Sequence, residues 1–568
     1  MAWRHGMQSN GDLVDIGRRK ALRVIGSGVA LALPGCSCNR PFPEPKIGQT
    51  EPELASGVGA AFLKPDSVNK TLTRSIFCID VHAHFFNASD VTVKGFVEGP
   101  AAHSIGGIQG ELLKLLAPLA DELAGLAPTA KMEYDYLDDL SALLRLKPIG
   151  QAGRILDDEI VRHRREQSAK FYELIKTPAG RRFEEAYRRQ QETQRKALGA
   201  EAPAAAPLDE RSLVRAMELG EVPRSAVERK STVPEARGGY EDGSLALVGY
   251  MLSYRWANLR TYQKAYSSHE ESIGVDRVLG SLVDFDRWLA CPPRSAHEDQ
   301  MRLHARLSQL SGGYMLPLIS YNPWTDVAES GRSLRLVEDA VRKYGFVGAK
   351  IYPPNGFRPW GNTRAQGGPG LPAPDKINKA LEAFWDKCIE LDIPVMAHTS
   401  ESMGKDDAHD MLGGPEGWTQ LVKHYAGKHR SPRVNLGHFG GDTGPDTAGR
   451  RNDWTQRMAK LMHSGGADRV FADLGYWSEL RCDDVGGERC RRAVGRLCAA
   501  LNQELGGGRR VADRVMFGSD WLMLSRERHW SDYASELLTA IGHVVPDDVE
   551  NIFGKNAVRC FGARIEGA

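Results

Sequence analysis

The sequence has almost no net charge and no long apolar run. Its 568 residues carry 74 lysines and arginines against 73 aspartates and glutamates, a formal net charge of +1. A general nucleic-acid-binding protein carries a basic excess, so this balance argues against one. No stretch after the N-terminal segment reaches about 18 consecutive apolar residues, so we expect no membrane-spanning helix. Charged residues make up 26% and hydrophobic residues 41%, the ordinary mix of a globular chain.

Several familiar motifs are also missing. None of the nine cysteines shows the CxxC spacing of a zinc site. The segment around Ser519 lacks the GxSxG pattern of a serine nucleophile, and no glycine-rich dinucleotide loop follows the first predicted strand. Cys482 and Cys490 flank a Gly-Gly pair. They could form a disulfide outside the cytoplasm, or both could be free thiols. The function must therefore depend on other local motifs.

The N-terminal segment has the features of an export signal. Arg18, Arg19 and Lys20 precede an uncharged stretch over 24–33, which is too short to cross a membrane that needs about 20 residues. The paired arginines indicate the twin-arginine type. Leu33-Pro34-Gly35-Cys36 resembles a bacterial lipobox, with Cys36 as the acylated residue. We predict an export signal over 1–38, a linker over 39–75, and a periplasmic or cell-surface protein that a lipid anchors; a disordered basic tail is the alternative.

Eight short apolar runs recur along the rest of the chain, with helical patterns between most of them. They cover 75–81, 277–283, 314–320, 346–352, 393–398, 433–438, 469–474 and 514–520. Strands that alternate with helices predict a parallel sheet, and eight is the number that closes a (β/α)₈ barrel. An open doubly wound sheet is the rival. We predict a TIM-type α/β barrel over 76–568, interrupted by a long, mostly helical insertion over 88–270 that caps the site or mediates contacts.

Polar residues stand at the ends of these predicted strands. His82 and His84 follow the first run, and residues i and i+2 of a strand point to the same side. His398 ends the fifth run, His438 the sixth and Asp520 the eighth. Barrel active sites are built at the C-terminal ends of the strands, so we expect these five residues to surround a metal ion.

The ordered set of motifs resembles the amidohydrolase superfamily, most closely its amidohydrolase-related branch, the aminocarboxymuconate-semialdehyde decarboxylase-like group. The resemblance covers residues 76–85 and about 270–563. The pieces that carry it are Asp80-Val81-His82-Ala83-His84, Gly345-Phe346-Val347-Gly348-Ala349-Lys350-Ile351-Tyr352-Pro353, Ala397-His398, Gly437-His438, Phe517-Gly518-Ser519-Asp520 and the ending from Glu550 to Gly562.

The resemblance implies a role for each strand-end residue. His82, His84 and His398 would be metal ligands, and Asp520 would be a ligand, a general base, or both. His438 would lie beside the metal and polarise the substrate or handle a proton. Three nitrogens and one carboxylate suit a single Zn²⁺, with Mn²⁺ or Fe²⁺ as alternatives. Such an ion lowers the pKa of its bound water towards 7, and Asp520 can accept the proton.

Three further residues are candidates for bridging or substrate binding. Lys350 lies on the fourth predicted strand, where some members of the superfamily carry a carboxylated lysine that bridges two metals. Its alternative role is a cation that pairs with a carboxylate or holds an acidic substrate. Arg358, in the loop that follows, and Trp521, next to Asp520, are candidates for the substrate pocket, with loop packing as the alternative for the loop.

These observations predict a metal-dependent hydrolase that acts on an amide, ester or lactone bond of a small molecule through a metal-activated water. The first rival is a metal-dependent decarboxylase, a lyase of unsaturated or aromatic acids, because the resembled branch includes such enzymes. The second is a non-catalytic, surface-anchored binding protein. The sequence leaves the substrate and any homo-oligomer open.

Overall fold

The computed structural model describes most of the chain after residue 75. The described residues are 76–96, 117–144, 149–197, 244–266, 273–289, 292–363, 372–400, 407–441, 454–481, 488–527 and 530–562, with Leu63, Lys147 and Ile565. The predicted export signal, Cys36 and nearly all of the predicted linker lie outside them.

Eight short parallel strands form the centre of the molecule, each hydrogen-bonded to the next in chain order. They are β1 Ile79–Ala83, β2 Arg277–Ser281, β3 Met315–Ser320, β4 Gly348–Ile351, β5 Pro394–His398, β6 Arg433–Gly437, β7 Val470–Asp473 and β8 Val515–Met516. Backbone hydrogen bonds join the last strand segment to β1: Val81 donates to Phe517 at 3.1 Å and His84 to Trp521 at 2.9 Å. The predicted (β/α)₈ barrel is confirmed, and the open sheet is wrong.

The first strand begins later than the apolar run suggests. The run covers 75–81, but β1 starts at Ile79, which pairs with Arg277 of β2. Just before it, the Cys78 N–H donates to the carboxylate of Asp276 at 2.9 Å instead of to a neighbouring strand. The strand continues through His82 and ends at Ala83.

Helices follow the strands and cover the barrel. The longer ones are amphipathic: between Arg332 and Tyr344 the buried positions include Val337, Ala340 and Val341, one face of a helix. That helix ends at Gly345, whose φ of +72° is a conformation that favours glycine. The described helices of the insertion are α1 to α7, and their bounds are given below. The described helices between Asp286 and the C-terminus are α8 Asp286–Leu289, α9 His297–Leu310, α10 Pro323–Ala328, α11 Arg332–Tyr344, α12 Pro374–Glu390, α13 Asp407–Asp410, α14 Pro415–Tyr425, α15 Trp454–Met462, α16 Glu488–Leu501, α17 Tyr533–Val544 and α18 Asn556–Phe561.

The described part of the insertion between β1 and β2 is helical, as predicted. Ten of the eleven residues in its last helix are buried, so that helix runs through the protein interior. Among the described helices, none combines the length and the hydropathy that crossing a membrane requires. The insertion helices are α1 Val93–Phe96, α2 Ala120–Leu126, α3 Ala130–Leu144, α4 Ile149–Ile175, α5 Pro178–Ala197, α6 Ser244–Leu252 and α7 Arg255–Ala265.

An apolar layer inside the barrel supports the polar strand ends. Leu279, Met396 and Phe471 belong to one buried cluster, together with Phe561 of α18. Each of the three strand residues precedes a polar residue by two positions, namely Ser281, His398 and Asp473. Because i and i+2 share a face of a strand, the polar residues form the next layer towards the C-terminal ends.

Candidate metal centre

Three of the predicted ligands converge at the C-terminal ends of the strands. One ligand atom each of His82, His84 and Asp520 lies within 4.8 Å of the other two. The Oδ1 atom of Asp520 is 3.5 Å from Nε2 of His82 and 3.4 Å from Nε2 of His84. All three residues are buried, with at most 6% of their surface exposed. This donor set of two imidazole nitrogens and one carboxylate fits a divalent metal ion.

Hydrogen bonds fix the orientation of both imidazoles. Nδ1 of His82 lies 3.0 Å from the Asp473 carboxylate, and Nδ1 of His84 lies 2.9 Å from the Ser281 carbonyl. Both partners accept, so each Nδ1 carries the hydrogen and each Nε2 presents its lone pair towards Asp520. Metal-binding histidines are usually held in this way.

Asp473, at the end of β7, is a functional candidate that the sequence reasoning missed. It is fully buried. Its Oδ1 accepts hydrogen bonds from the His82 ring and from the backbone N–H groups of His438 and Gly475. Its Oδ2 accepts a hydrogen bond from Nδ2 of Asn435 at 2.7 Å. A signal was present, because this aspartate ends the seventh predicted strand much as Asp520 ends the eighth.

His398 and His438 lie beside the group of three. Nε2 of His438 is 3.0 Å from Nδ1 of His398, and the rings of His438 and His82 are 4.5 Å apart. Nδ1 of His438 lies 2.8 Å from the Gly475 carbonyl, and Nε2 of His398 lies 3.2 Å from the Ser400 hydroxyl. His398 is not a member of the 4.8 Å group. Its role as a third ligand therefore stays a prediction.

Two of the candidate residues have an unusual backbone conformation. His438 has a φ of +67° and Asp520 a φ of +53°, in the left-handed region that residues other than glycine seldom adopt. The Asp520 N–H donates to the His82 carbonyl at 2.6 Å, which ties the eighth strand end to β1. Strained residues of this kind concentrate at functional sites.

The charges of the site suit a metal ion. Burial lowers the pKa of His82 and of His438, which keeps these imidazoles neutral. A neutral imidazole and an ionised carboxylate are the forms that bind a metal.

Lys350 brings a buried amine to the same place. It is 2% exposed, and its Nζ lies 3.5 Å from Nε2 of His82. Burial lowers its pKa to about 8, against the opposing charges of Asp520 and Asp473. Within the described residues no carboxylate forms an ion pair with it. The structure places Lys350 beside His82, and its role in bridging metals or binding substrate stays a prediction.

The other two candidates lie in packed surroundings. Arg358 follows β4 and lies beside Gly417 of α14, with its backbone N–H donating to Asn362 at 2.7 Å. Trp521 is fully buried, and its ring lies 5.2 Å from that of Phe85 and 5.7 Å from that of Trp530. These positions indicate packing, and a substrate contact by either residue stays a prediction.

A second group with metal-ligand spacing forms an ion pair in the structure. Asp284, Asp286 and His297 lie close together, with Nε2 of His297 2.9 Å from Asp286. Burial lowers the pKa of His297, but the two aspartates outweigh it and raise the pKa to about 9. A protonated imidazole is a poor metal ligand.

Comparisons with solved structures find distant likenesses. A 2,6-dihydroxybenzoate decarboxylase is 18% identical, covers 59% of this chain and 94% of its own, and has a TM-score of 0.34. A manganese-bound 5-carboxyvanillate decarboxylase from Novosphingobium aromaticivorans is 13% identical over 62% of this chain and 92% of its own, with a TM-score of 0.34. A probable 2-pyrone-4,6-dicarboxylic acid hydrolase from Acinetobacter baumannii is 15% identical over 51% and 84%, with a TM-score of 0.29. None of them assigns a reaction to this chain.

The family comparison is more specific. No curated protein matches this chain. Residues 322–563, however, match the family model described as Amidohydrolase. The matched range contains His398, His438 and Asp520, whereas His82 and His84 precede it. The resemblance that the motifs indicate is confirmed over residues 322–563, the part of the chain that matches the amidohydrolase family.

Proposed function

We propose that this protein is a metal-dependent hydrolase that acts on an amide, ester or lactone bond of a small molecule. The observation that carries the proposal is the convergence of two Nε2 atoms and the Asp520 carboxylate within 4.8 Å in a buried site. The donor set suits one Zn²⁺, with Mn²⁺ or Fe²⁺ as alternatives. When bound, such an ion lowers the pKa of water towards 7 and polarises a substrate carbonyl.

Each residue has a defined task in this proposal. His82, His84 and His398 hold the ion, and Asp520 accepts a proton from the attacking water and returns it to the leaving group. His438 donates its Nδ1 hydrogen to the Gly475 carbonyl, so its Nε2, which lies 3.0 Å from Nδ1 of His398, is an acceptor. Burial of the group excludes bulk water, which strengthens these interactions.

A substrate panel tests the proposal. Full-length protein loaded with Zn²⁺ or Mn²⁺ is assayed on esters, lactones, amides and aromatic acids, beside the variant Asp520→Asn. We expect hydrolysis of at least one neutral class and a fall in kcat of about 10²–10⁴ in the variant. The thermal unfolding of the variant should stay close to that of the wild type. Undiminished turnover by Asp520→Asn would remove its proton-transfer role.

A decarboxylase is the second candidate, and Lys350 favours it. A buried cation without a carboxylate partner in the described structure can neutralise the carboxylate of an acid substrate. In that case the panel releases CO₂ from aromatic or unsaturated acids, and Lys350→Met abolishes this release. A carboxylated, bridging Lys350 would instead give two metal ions per chain. A binding protein without catalysis would hold metal and turn over no member of the panel.

We also propose export and lipid anchoring at Cys36. Cys490 is disulfide-bonded, which supports a location outside the reducing cytoplasm. The other four cysteines among the described residues are free, so the disulfide partner of Cys490 is not one of them. Cell fractionation of the wild type and of Cys36→Ala tests the proposal. The wild type should remain with the membrane and the variant should be released; equal distribution of the two would contradict lipidation.

A further inference from the structure

The last helix of the insertion reaches the metal-binding strand directly. Tyr262 of α7 is fully buried, and its hydroxyl donates to the carboxylate of Asp80 at 2.6 Å. Asp80 lies in β1, two residues before His82, and is also fully buried. The contact joins residues 182 positions apart in the chain. The insertion is therefore in contact with the support of the candidate metal centre.

Asp80 connects the two segments that carry the proposed ligands. Its Oδ1 accepts the backbone N–H of His82 at 3.0 Å and that of Ser519, the neighbour of Asp520, also at 3.0 Å. Its Oδ2 accepts the hydroxyls of Ser519 and Tyr262. A buried carboxylate is stable only when such donors surround it. Of these four donors, only Tyr262 comes from outside the two segments.

We propose that Tyr262 is a positioning residue of the metal centre: it fixes the Asp80 carboxylate, which in turn sets the distance between His82 and Asp520. The inference rests on the proposed metal-dependent function. Without the hydroxyl, the Asp80 side chain is free to turn towards its remaining donors, and the two ligand-bearing segments shift with it. A metal site tolerates displacements of only about 0.5 Å, so a small shift weakens binding.

Tyr266 supplies a matched control. It follows Tyr262 by four residues, is 1% exposed, and its ring lies 4.7 Å from that of Tyr262. Its hydroxyl donates to the Trp530 carbonyl at 3.1 Å instead of to Asp80. Replacement by phenylalanine therefore removes one buried hydroxyl and one hydrogen bond in each variant, but only Tyr262→Phe removes a hydrogen bond to Asp80.

The experiment compares full-length wild type, Tyr262→Phe and Tyr266→Phe. Zn²⁺ affinity is measured by competition with a chelator, and the visible spectrum of the Co²⁺-loaded protein reports the ligand geometry. We expect Tyr262→Phe to bind Zn²⁺ about tenfold more weakly and to shift the Co²⁺ bands, while Tyr266→Phe matches the wild type within about twofold. Thermal unfolding should show similar small losses for both variants, which separates positioning from general stability.

Two outcomes would count against these proposals, and they are distinct. If Tyr262→Phe and Tyr266→Phe share the Zn²⁺ affinity and Co²⁺ spectrum of a metal-binding wild type, the positioning role is overturned. If the wild type itself binds neither ion, the proposed function is overturned and the inference falls with it.

Discussion

At the scale of single residues, the centre depends on where each imidazole places its hydrogen. His82 and His84 present Nε2 to the site because an acceptor holds each Nδ1 hydrogen. For His82 that acceptor is the carboxylate of Asp473, which also fixes the backbone at His438 and Gly475. One buried side chain thus orients a proposed ligand and shapes the two strand ends beside it.

The variant Asp473→Asn tests this role. Its Oδ1 still accepts a hydrogen bond from His82. Oδ1 of Asn435 has no hydrogen-bond partner among the described residues, so it can accept from the new amide if the Asn435 amide turns over. The geometry is retained, but the negative charge that increases the basicity of His82 is lost. We expect Zn²⁺ affinity to fall about 10–100-fold in a chelator competition. Unchanged affinity in a correctly folded variant would contradict the role of Asp473.

The sequence predicts some residues of the site and not others. His82 and His84 are two residues apart in one motif, and Asp520 ends a recognisable strand, so local patterns identify them. The contacts of Asp473 and Tyr262 join positions 391 and 182 residues apart. No local pattern contains such a pairing, because only the closed barrel brings the partners together. The orientation of the site is therefore a property of the fold.

At the scale of elements, a buried ion network joins the insertion to the start of the barrel. Arg255, the first residue of α7, pairs with Asp90 after β1 and with Glu133 of α3. All three side chains have no exposed surface. Burial raises the pKa of Glu133, and Arg255 opposes that shift. Neither carboxylate would be stable there without the guanidinium.

Arg255→Met should therefore destabilise the protein strongly. Removing one partner of a buried ion pair costs about 3–5 kcal/mol in the free energy of unfolding, measured by denaturant titration. Arg162 is the control, since its side chain is 32% exposed and pairs with Glu159 and Glu166 on the same helix. Arg162→Met should cost less than about 1 kcal/mol. Equal losses in the two variants would show that the buried network is not what holds the insertion.

His297, the first residue of α9, gives a pH-dependent prediction. Asp284 and Asp286 raise its pKa from 6.5 to about 9, although burial opposes protonation. A histidine whose pKa is raised in the folded state contributes its full stabilisation below pH 6.5. This stabilisation is lost as the pH rises through about 9. The difference in unfolding free energy between wild type and His297→Gln should shrink across that interval. A difference that does not change with pH would exclude a protonated His297.

The order of elements is more predictable than their ends. Each of the eight apolar runs overlaps a strand, because buried parallel strands need continuous apolar sequence. The start of β1 is not predictable from the run at 75–81, since pairing with Arg277, about 200 positions away, decides it.

At the scale of the whole molecule, the site exists only in the assembled barrel. Two proposed ligands, His82 and His84, lie at the end of β1, and His398 and Asp520 lie beyond the insertion, at or after strand ends within the matched range 322–563. The net charge of the chain is close to zero, so the charged groups that matter for the proposed function are those of the metal centre itself. The assembled centre is what the proposed function requires.

Metal content per chain tests the central claim most directly. The full-length wild type, the double variant His82→Ala/His84→Ala and Tyr266→Phe are purified, loaded with Zn²⁺, freed of excess ion and measured by elemental analysis. We expect about one tightly bound ion in the wild type and in Tyr266→Phe, and almost none in the double variant. A wild type that is folded but retains no metal, or a double variant that retains as much as the wild type, would contradict the account.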